Sequence, residues 1–212
     1  MAGGESQHVG EYLGEGAMDV PTIYLGVPRA DGEDAVYFDY KAGGYATGAH
    51  FAERGYQRVL FISNIPPRFI SKDLRHRGFL EACERFGLSV EEADTDFMES
   101  RAAGYRLGEA IAKRPAADRP RAICCHNDLI AVGLCRALQR AGLRIPEDIA
   151  VSGFDGIEDG QFLERPLTTV VGSASEMMAA ASGLLLARIE GGLKPTGEQV
   201  MIPSRLQIGG TT

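Results

Sequence analysis

Short apolar runs alternate with longer helical patterns along most of this chain, and this alternation constrains its fold more than any other feature. Residues 59–63 form an apolar run without polar alternation, which is typical of a strand covered on both faces. Similar runs predict strands at residues 22–27, 35–38, 122–125, 149–154 and 170–171, and extended chain at residues 200–208. Strands that alternate with helices form right-handed βαβ units. We therefore predict an α/β fold with parallel sheets flanked by helices.

Capping residues and apolar stripes mark the helices between these runs. Helices are predicted at residues 40–54, 73–86, 100–113, 128–141 and 176–189. Ser100 is a candidate N-cap for the third of them, and Asp128 for the fourth. The fourth helix has the clearest pattern and ends at Gly142, a residue suited to the left-handed turn past a helix end. Its predicted core stripe consists of Ala131, Leu134, Cys135 and Leu138.

Polar residues follow several of the predicted strands. In open parallel sheets, ligands bind beyond the carboxyl ends of the strands. The residues that matter most for function are therefore expected to be those directly after the strands, namely Asp39, residues 64–75, residues 126–128 and Asp155.

Three of these positions have side chains that suit a polar ligand. Either Asn127 or Asp128 should cap the following helix, which leaves the other free; Asn127 offers both a donor and an acceptor for a hydroxyl group, although capping alone is the simpler interpretation. Asp155 can accept hydrogen bonds from two neighbouring hydroxyls, or only bond its own backbone in a turn. Arg75 lies near a helix start, where the helix dipole does not favour a positive charge, and this favours a ligand contact.

A glycine-rich stretch at residues 43–48 raises the question of a phosphate-binding loop. The stretch lacks both the Lys-Ser/Thr end of a P-loop and the GxGxxG spacing. Close packing of the helix on the sheet at Gly44 and Gly48 is the favoured explanation, and phosphate binding is the alternative.

The charge distribution excludes some classes of partner. The formal net charge is −7 and no dense Lys/Arg stripe occurs, so these residues lack the electrostatic pattern of a nucleic-acid binder. No apolar run is long enough to span a membrane. The first twenty residues have neither the basic start nor the apolar run of an export signal. A cytoplasmic protein with no membrane partner is expected.

Catalytic and metal-binding motifs are also missing from the sequence. The four cysteines form no CxxC pair, and adjacent strand residues such as Cys124 and Cys125 point to opposite faces, so buried reduced thiols are predicted. No nucleophile elbow, HExxH motif or metal-spaced histidine cluster occurs. His126 stands beside Asn127, but no nucleophile accompanies it. We expect no enzymatic activity, no metal and no cofactor.

Several stretches together resemble the effector-binding core of the LacI/GalR family of transcription regulators. The series runs in order from Thr22 to Thr212 and includes FAERGYQRV (51–59), LRHRGF (74–79), HNDLIAVG (126–133), GLRIPEDIAV (142–151), GFD (153–155), PLTTV (166–170) and IPSRL (202–206). Each stretch is a weak signal alone, and their order makes the resemblance specific.

The resemblance implies a periplasmic-binding-protein-like fold of two α/β subdomains that hold an effector between them. It assigns residues 21–212 to the core, with residues 1–20 as an atypical N-terminal segment. The C-terminal subdomain is predicted mainly at residues 39–171, and a remnant of the N-terminal subdomain at residues 21–38 and 172–195. The N-terminal subdomain is expected to be incomplete, and the helix-turn-helix through which such regulators bind DNA is expected to be absent from this chain.

The resemblance also implies the site. Arg75, Asn127 and Asp155 match the positions that typically hold a sugar or a purine in the family. Ser71 and Phe38 match flanking pocket positions, and Phe97 matches an aromatic wall.

The leading hypothesis is therefore the ligand-sensing portion of a LacI-type regulator, which binds a sugar-like effector, forms a homodimer and contacts DNA only through the absent helix-turn-helix. A solute-binding protein of a sugar transporter is an alternative from another class, and a non-functional or dimer-forming fragment is the third.

Overall fold

The structure is a computed structural model that describes residues 21–29, 33–70, 73–96, 98–191 and 197–212. Within them, the elements in chain order are β1 (Ile23–Leu25), β2 (Asp34–Phe38), α1 (Tyr40–Glu53), β3 (Arg58–Ser63), α2 (Pro67–Ile70), α3 (Leu74–Phe86), β4 (Ser89–Asp94), α4 (Arg101–Ala112), β5 (Ala122–Cys125), α5 (Asp128–Arg140), β6 (Ala150–Phe154), β7 (Thr168–Gly172), α6 (Ala174–Ile189), β8 (Gln199–Ile202) and β9 (Ser204–Gln207). Two short 3-10 helices lie at Ala116–Asp118 and Glu158–Phe162. No helix among the described residues is both long and apolar enough to cross a membrane.

The chain divides into two compact units. Of the described residues, the first unit takes in those up to Phe38 and those within Ala174–Ile202, and the second takes in those within Asp39–Ser173 and Pro203–Thr212. The first unit contains a parallel sheet in the order β1-β2-β8 and the helix α6. Its apolar cluster is small and centres on Val36, Ala181 and Ile202.

A buried ion pair joins the elements of the first unit. Asp34 is 7% exposed, and it accepts hydrogen bonds from Arg188 Nε at 2.5 Å and Nη2 at 2.6 Å. The same carboxylate accepts from the backbone N–H of Glu198 at 2.7 Å. The Arg188 hydrogen bond holds the pKa of Asp34 below its ordinary value, although burial acts in the opposite direction.

The second unit is built on a six-stranded sheet in the order β4-β3-β5-β6-β7-β9. All its neighbouring pairs are parallel except β7 with β9. The chain leaves β3 for β4 on one side and then crosses to β5 on the other side. The gap between β3 and β5 is therefore the topological switch point of the sheet.

Helices cover both faces of this sheet. Leu60 and Ile62 of β3 pack with α4 and α5, whereas Val59 and Phe61 of the same strand pack with α1 and α3. Alternate residues thus enter two separate apolar cores, which is why β3 contains no polar alternation. The predicted α/β fold with helix-flanked parallel sheets is confirmed.

Glycines allow the helices on each face to approach closely. A β-carbon at Gly44 of α1 would overlap the Arg75 carbonyl of α3, and one at Gly78 of α3 would overlap the Lys41 carbonyl of α1. At Gly48 it would press against the β-carbon of Ala82 in α3. The prediction that Gly44 and Gly48 bring their helix close to the sheet is therefore wrong: they bring it close to a second helix.

Sequence reasoning missed two elements. The strand β4 lies at the sheet edge and has mostly exposed side chains, so the apolar run that marks the inner strands is lacking there. The single-turn helix α2 is too short to produce a periodic pattern. The predicted extended chain at residues 200–208 contains two short strands, β8 and β9, which belong to different sheets.

Candidate ligand-binding site

Polar side chains gather at the carboxyl ends of β3, β5 and β6, beside the switch point of the second unit. Asn64 follows β3, His126 and Asn127 follow β5, and Asp155 follows β6. Arg75 reaches this cluster from the first turn of α3. Open α/β sheets hold their ligands at this position, because the loops after the strands diverge there.

Arg75 lies against two aromatic rings. Its guanidinium carbon is 4.6 Å from the ring centre of Tyr40, the first residue of α1, and 4.6 Å from that of Phe154, the last residue of β6. Stacking on aromatic faces suits the planar guanidinium group and restricts its motion. Burial raises the pKa of the Tyr40 hydroxyl, so this ring stays neutral near neutral pH. The two rings thus present a fixed positive charge at the carboxyl edge of the sheet.

Asp155 supplies the opposite charge from a strained backbone. Its Oδ1 atom is 3.3 Å from Nη2 of Arg75, and 36% of its side chain remains exposed. Its φ angle is +106°, in a region that favours glycine, and Gly156 follows with a φ of +70°. Burial of part of the carboxylate raises its pKa, and Arg75 opposes this shift. Strain of this kind in a residue with an accessible charged side chain points to a functional position.

His126 and Asp73 support Arg75 from the inner side. Arg75 Nη1 is 3.1 Å from His126 Nδ1 and donates to the His126 carbonyl oxygen at 3.2 Å. The other ring nitrogen of His126 lies 3.0 Å from Asp73 Oδ2. Asp73 is also the N-cap of α3, and its Oδ1 accepts from the His76 backbone N–H at 2.8 Å. Burial acts to raise the pKa of Asp73, but the His126 and backbone hydrogen bonds hold it below its ordinary value.

Asn127, not Asp128, caps α5, so the cap predicted at Asp128 is wrong. The Oδ1 atom of Asn127 accepts from the Ile130 backbone N–H at 3.0 Å. This bond fixes the orientation of the amide, and Nδ2 is therefore the free end. Asn127 is 1% exposed, and within the described residues its Nδ2 has no hydrogen-bond partner. An unpaired buried donor costs free energy, so a hydrogen bond from Nδ2 to an acceptor on a ligand would remove that cost.

Asp128 has a structural role behind the site. It is fully buried and accepts hydrogen bonds from Thr169 Oγ1 at 2.6 Å and from the Ile157 backbone N–H at 2.8 Å. These bonds tie α5 to the chain that follows β6 and to β7. Burial raises the pKa of the Asp128 carboxyl to about 6, and the Thr169 hydrogen bond only partly offsets this. Its folded pKa therefore lies above the ordinary value of 3.8.

This shift predicts a pH-dependent effect of Asp128→Asn. The protonated carboxyl stabilises the fold below about pH 4, and that contribution is lost as the pH rises through about 6. Asparagine cannot ionise, so the unfolding free energy of the variant minus that of the wild type should rise by about 2.4 kcal/mol between pH 4 and pH 7. Urea unfolding at several pH values measures this difference, and a difference that stays flat would contradict the shift.

Asp148→Asn is the matched control, because the shift there has the opposite sign. The hydrogen bond from the Arg144 side chain lowers the pKa of Asp148 to about 2. Its contribution is present above the ordinary pKa of an aspartate and is lost as the pH falls towards 2. The unfolding free energy of Asp148→Asn minus that of the wild type should therefore fall, not rise, with increasing pH. This fall should be complete before the pH reaches about 6, where folded Asp128 titrates.

The structure places the predicted site residues as follows. Arg75 and Asp155 are in contact, and Asn127 is adjacent in the chain to His126, which binds Arg75. Phe38 ends β2 in the first unit, where it packs against the apolar cluster of that unit. Ser71 and Phe97 lie outside the described residues.

Sequence reasoning missed Tyr40, and it placed Asp73 and His126 among the residues that follow strands without giving either a role in holding Arg75. Tyr40 stands at a helix start next to a predicted strand end, and that position was the available signal.

The four cysteines are buried and free, as predicted. Cys124 and Cys125 enter the cores on opposite faces of the sheet. Burial raises the pKa of Cys124 to about 12, so this thiol stays protonated and unreactive. Among the residues that the structure describes, no group of three or more His, Cys, Asp or Glu side chains could hold a metal ion.

Comparison with known sequences finds one matching family model and many regulators. Residues 49–212 match the periplasmic binding protein-like domain. The chain is 30% identical over 194 residues to the HTH-type transcriptional repressor PurR of Serratia proteamaculans, and 29% identical over 176 residues to PurR of Photobacterium profundum. The first alignment covers 87% of this chain and 54% of the relative, and the second covers 81% and 51%. The chain thus spans about half the length of the curated relatives it matches.

Solved structures of regulators share the fold. A LacI family regulator from Enterococcus faecium, solved with bound ribose, has a TM-score of 0.75 at 28% identity over 91% of this chain and 70% of that chain. A putative LacI family regulator from Sanguibacter keddieii has a TM-score of 0.78 at 26% identity over 90% and 73%. A regulator from Arthrobacter, solved with lactose, has a TM-score of 0.79 over 91% and 71%, and its 24% identity supports the fold alone.

Proposed function

The chain belongs to the periplasmic binding protein-like domain family, as the effector-binding core of a LacI-type regulator, and on this premise we propose that it senses a small neutral polyol, of which a sugar is the leading candidate. In this proposal, Arg75, Asn127 and Asp155 bind the ligand. Binding, not catalysis, is the activity. Control of transcription from the cytoplasm is the proposed role of the whole protein.

The arrangement of donors and acceptors beside the switch point supports this proposal most strongly. Asp155 offers an exposed carboxylate acceptor, Arg75 a guanidinium donor, and Asn127 an unpaired amide donor. Neighbouring hydroxyls of a sugar can each donate and accept, so they suit a set of groups that contains both donors and acceptors. The aromatic rings that hold Arg75 add an apolar wall of the kind that small-molecule sites contain.

Charge favours a neutral ligand over an acidic one. The positive charge of Arg75 faces the carboxylate of Asp155 at 3.3 Å, and Asp73 lies behind it, bonded to His126. An anionic ligand would have to displace Asp155 from Arg75 and would then lie close to that carboxylate. A sugar hydroxyl can join the existing pair without this repulsion. We therefore rank neutral pentoses and hexoses above sugar acids.

Regulation requires that the ligand binds one state of the protein better than another. The relatives are repressors that are about twice as long as the matched region, and the effect of a ligand on DNA binding, like homodimer formation, belongs to the whole protein. Both remain proposals for this chain. Operator binding would need a helix-turn-helix of the kind through which regulators of this family bind DNA.

A thermal-shift panel tests the proposal. The purified chain is melted with neutral sugars, sugar acids and nucleobases, each at concentrations up to the millimolar range. A ligand at about a hundred times its Kd adds about 2.7 kcal/mol to the stability, which corresponds to roughly 5–10 °C in Tm for a protein of this size. Glu158→Gln, which changes an exposed carboxylate close to Asp155 in the chain, should keep the response. Flat curves across the neutral sugars would refute the proposed ligand class.

A further inference from the structure

His126 is a buried histidine that joins the start of α3 to the end of β5. Its side chain is 6% exposed and lies between Asp73, the N-cap of α3, and Arg75, which stands in the first turn of α3. Nε2 is 3.0 Å from Asp73 Oδ2, and Nδ1 is 3.1 Å from Arg75 Nη1. Asp73, Arg75 and His126 therefore form a closed hydrogen-bonded ring that includes the backbone of α3.

The partners of the ring nitrogens determine its tautomer. Arginine can only donate hydrogen bonds, so Nδ1 must present its lone pair to Arg75. A carboxylate can only accept, so Nε2 must carry the proton that faces Asp73. Both bonds are satisfied together only by the neutral imidazole with its proton on Nε2. Addition of a second proton would place an N–H of His126 against an N–H of Arg75 at 3.1 Å, with no acceptor between them.

We propose that His126 is a positioning residue: its Nε2–H imidazole holds the Arg75 guanidinium in its ligand-binding orientation, so that loss of the Nδ1 acceptor frees the guanidinium and lowers ligand affinity. The part of this proposal that concerns affinity rests on the proposed function. The part that concerns the orientation of Arg75 stands on the ligand-free geometry alone.

The stacking rings do not replace His126 in this role. Tyr40 and Phe154 restrict movement of the guanidinium towards or away from their faces, but a stacked plane can still turn in its own plane. Arg75 Nη1 is held against such a turn by two acceptors on one residue, the Nδ1 atom and the carbonyl oxygen of His126. The Tyr40 hydroxyl also bonds to Arg75, so loss of the Nδ1 acceptor leaves this hydroxyl, the His126 carbonyl and Asp155 as partners of the group.

Other charged groups surround His126. Within the described residues, Asp73 and Arg75 face it from the start of α3, and Asp155 interacts with it electrostatically from the end of β6. A test of His126 must therefore leave these three groups in place and change only the acceptor that His126 presents to Arg75.

Nuclear magnetic resonance on the ligand-free wild type tests the structural part. Long-range proton–nitrogen spectra identify the His126 tautomer, and the Arg75 side-chain signals report whether its guanidinium is held. We expect the Nε2–H tautomer at pH 8, and we expect the Arg75 signals to broaden or shift in ligand-free His126→Ala but not in His126→Asn, whose amide oxygen can accept from Arg75. A proton on Nδ1 in the wild type, or Arg75 signals that are the same in His126→Ala and in the wild type, would overturn the proposal.

Calorimetric titration with D-ribose tests the affinity part. We expect D-ribose to bind about tenfold more weakly to His126→Ala, which lacks the Nδ1 acceptor, than to the wild type. In His126→Asn, the amide oxygen can take the place of Nδ1, so this variant should recover most of the lost affinity. His76→Gln is the matched control: His76 is also buried and lies 2.9 Å from a carboxylate, that of Glu92, but its side chain makes no hydrogen bond to Arg75 among the described residues.

The outcomes separate the two proposals. An affinity that is unchanged in His126→Ala, or that falls equally in His76→Gln, would contradict the role of His126. If D-ribose does not bind the wild type, the proposed function fails for this sugar, and the spectra of the ligand-free protein still decide whether His126 holds Arg75.

Discussion

Asp155→Gly is expected to weaken ligand binding strongly while leaving the fold as stable as the wild type or more so. The carboxylate is the exposed acceptor of the site and the partner of Arg75. Its loss should weaken binding of the responding sugar by roughly a hundredfold to a thousandfold, because a charged partner is removed from a desolvated contact. The backbone at this position has a φ of +106°, which glycine adopts without the strain that an L side chain suffers.

Asp155→Ala is the control that separates these two effects. Alanine also lacks the carboxylate but keeps a β-carbon in the strained conformation. Both variants should lose sugar affinity to the same extent. Only the glycine variant should keep or raise the unfolding free energy, by up to about 1 kcal/mol, because the relief of backbone strain is partly offset by the greater flexibility of its unfolded chain. Calorimetric titration and urea unfolding measure the two quantities. Sugar binding that survives in the glycine variant would remove Asp155 from the site.

Gly44→Val should destabilise the second unit by more than about 4 kcal/mol. The two helices α1 and α3 approach so closely that a β-carbon at Gly44 would overlap the backbone carbonyl of Arg75. Backbone cannot move aside as a flexible side chain can, so the helices must separate and both lose their packing on the sheet. Because Arg75 itself lies at this crossing, the surviving folded fraction should also bind sugar more weakly. Urea unfolding followed by circular dichroism measures the loss.

Gly183→Ala provides the contrast with the opposite sign. Gly183 lies inside α6, and a β-carbon there would meet nothing within 4 Å among the described residues. Alanine favours a helix over glycine by about 1 kcal/mol, so this variant should be slightly more stable than the wild type. Equal losses at Gly44 and Gly183 would mean that close helix packing is not the reason for glycine at position 44.

The sequence predicted local structure best where a single physical cause determines that structure. The apolar run of β3 predicted a strand between two helix layers, because both of its faces are buried. The Ser100 cap was predicted correctly, since its side chain accepts from the Ala103 backbone N–H. The strand β4 escaped detection because it is held by backbone pairing with β3, and such pairing leaves no signature in exposed acidic side chains.

The clustering of polar side chains after the strands was predictable, but their mutual hydrogen bonds were not. Arg75, Asn127 and Asp155 were selected from strand ends and from the family resemblance, and their role in ligand binding stays a prediction. The roles of Asn127 and Asp128 at the start of α5 depend on which oxygen reaches Ile130, and this is decided by Thr169, a residue far away in the chain that binds Asp128. The ring of Asp73, Arg75 and His126 likewise depends on the close crossing of helices and strands, which no local pattern encodes.

Mapping of sugar binding on the protein by nuclear magnetic resonance tests the central claim most directly. The panel sugar that raises Tm most is titrated into isotope-labelled wild-type protein while the backbone amide signals are followed. The account predicts saturable shifts concentrated at Asn127, Asp155 and Gly156, together with the Arg75 side chain, and their absence in Asp155→Gly. Saturable shifts that leave these residues unchanged and appear elsewhere in the chain would contradict a ligand site at the carboxyl ends of β5 and β6.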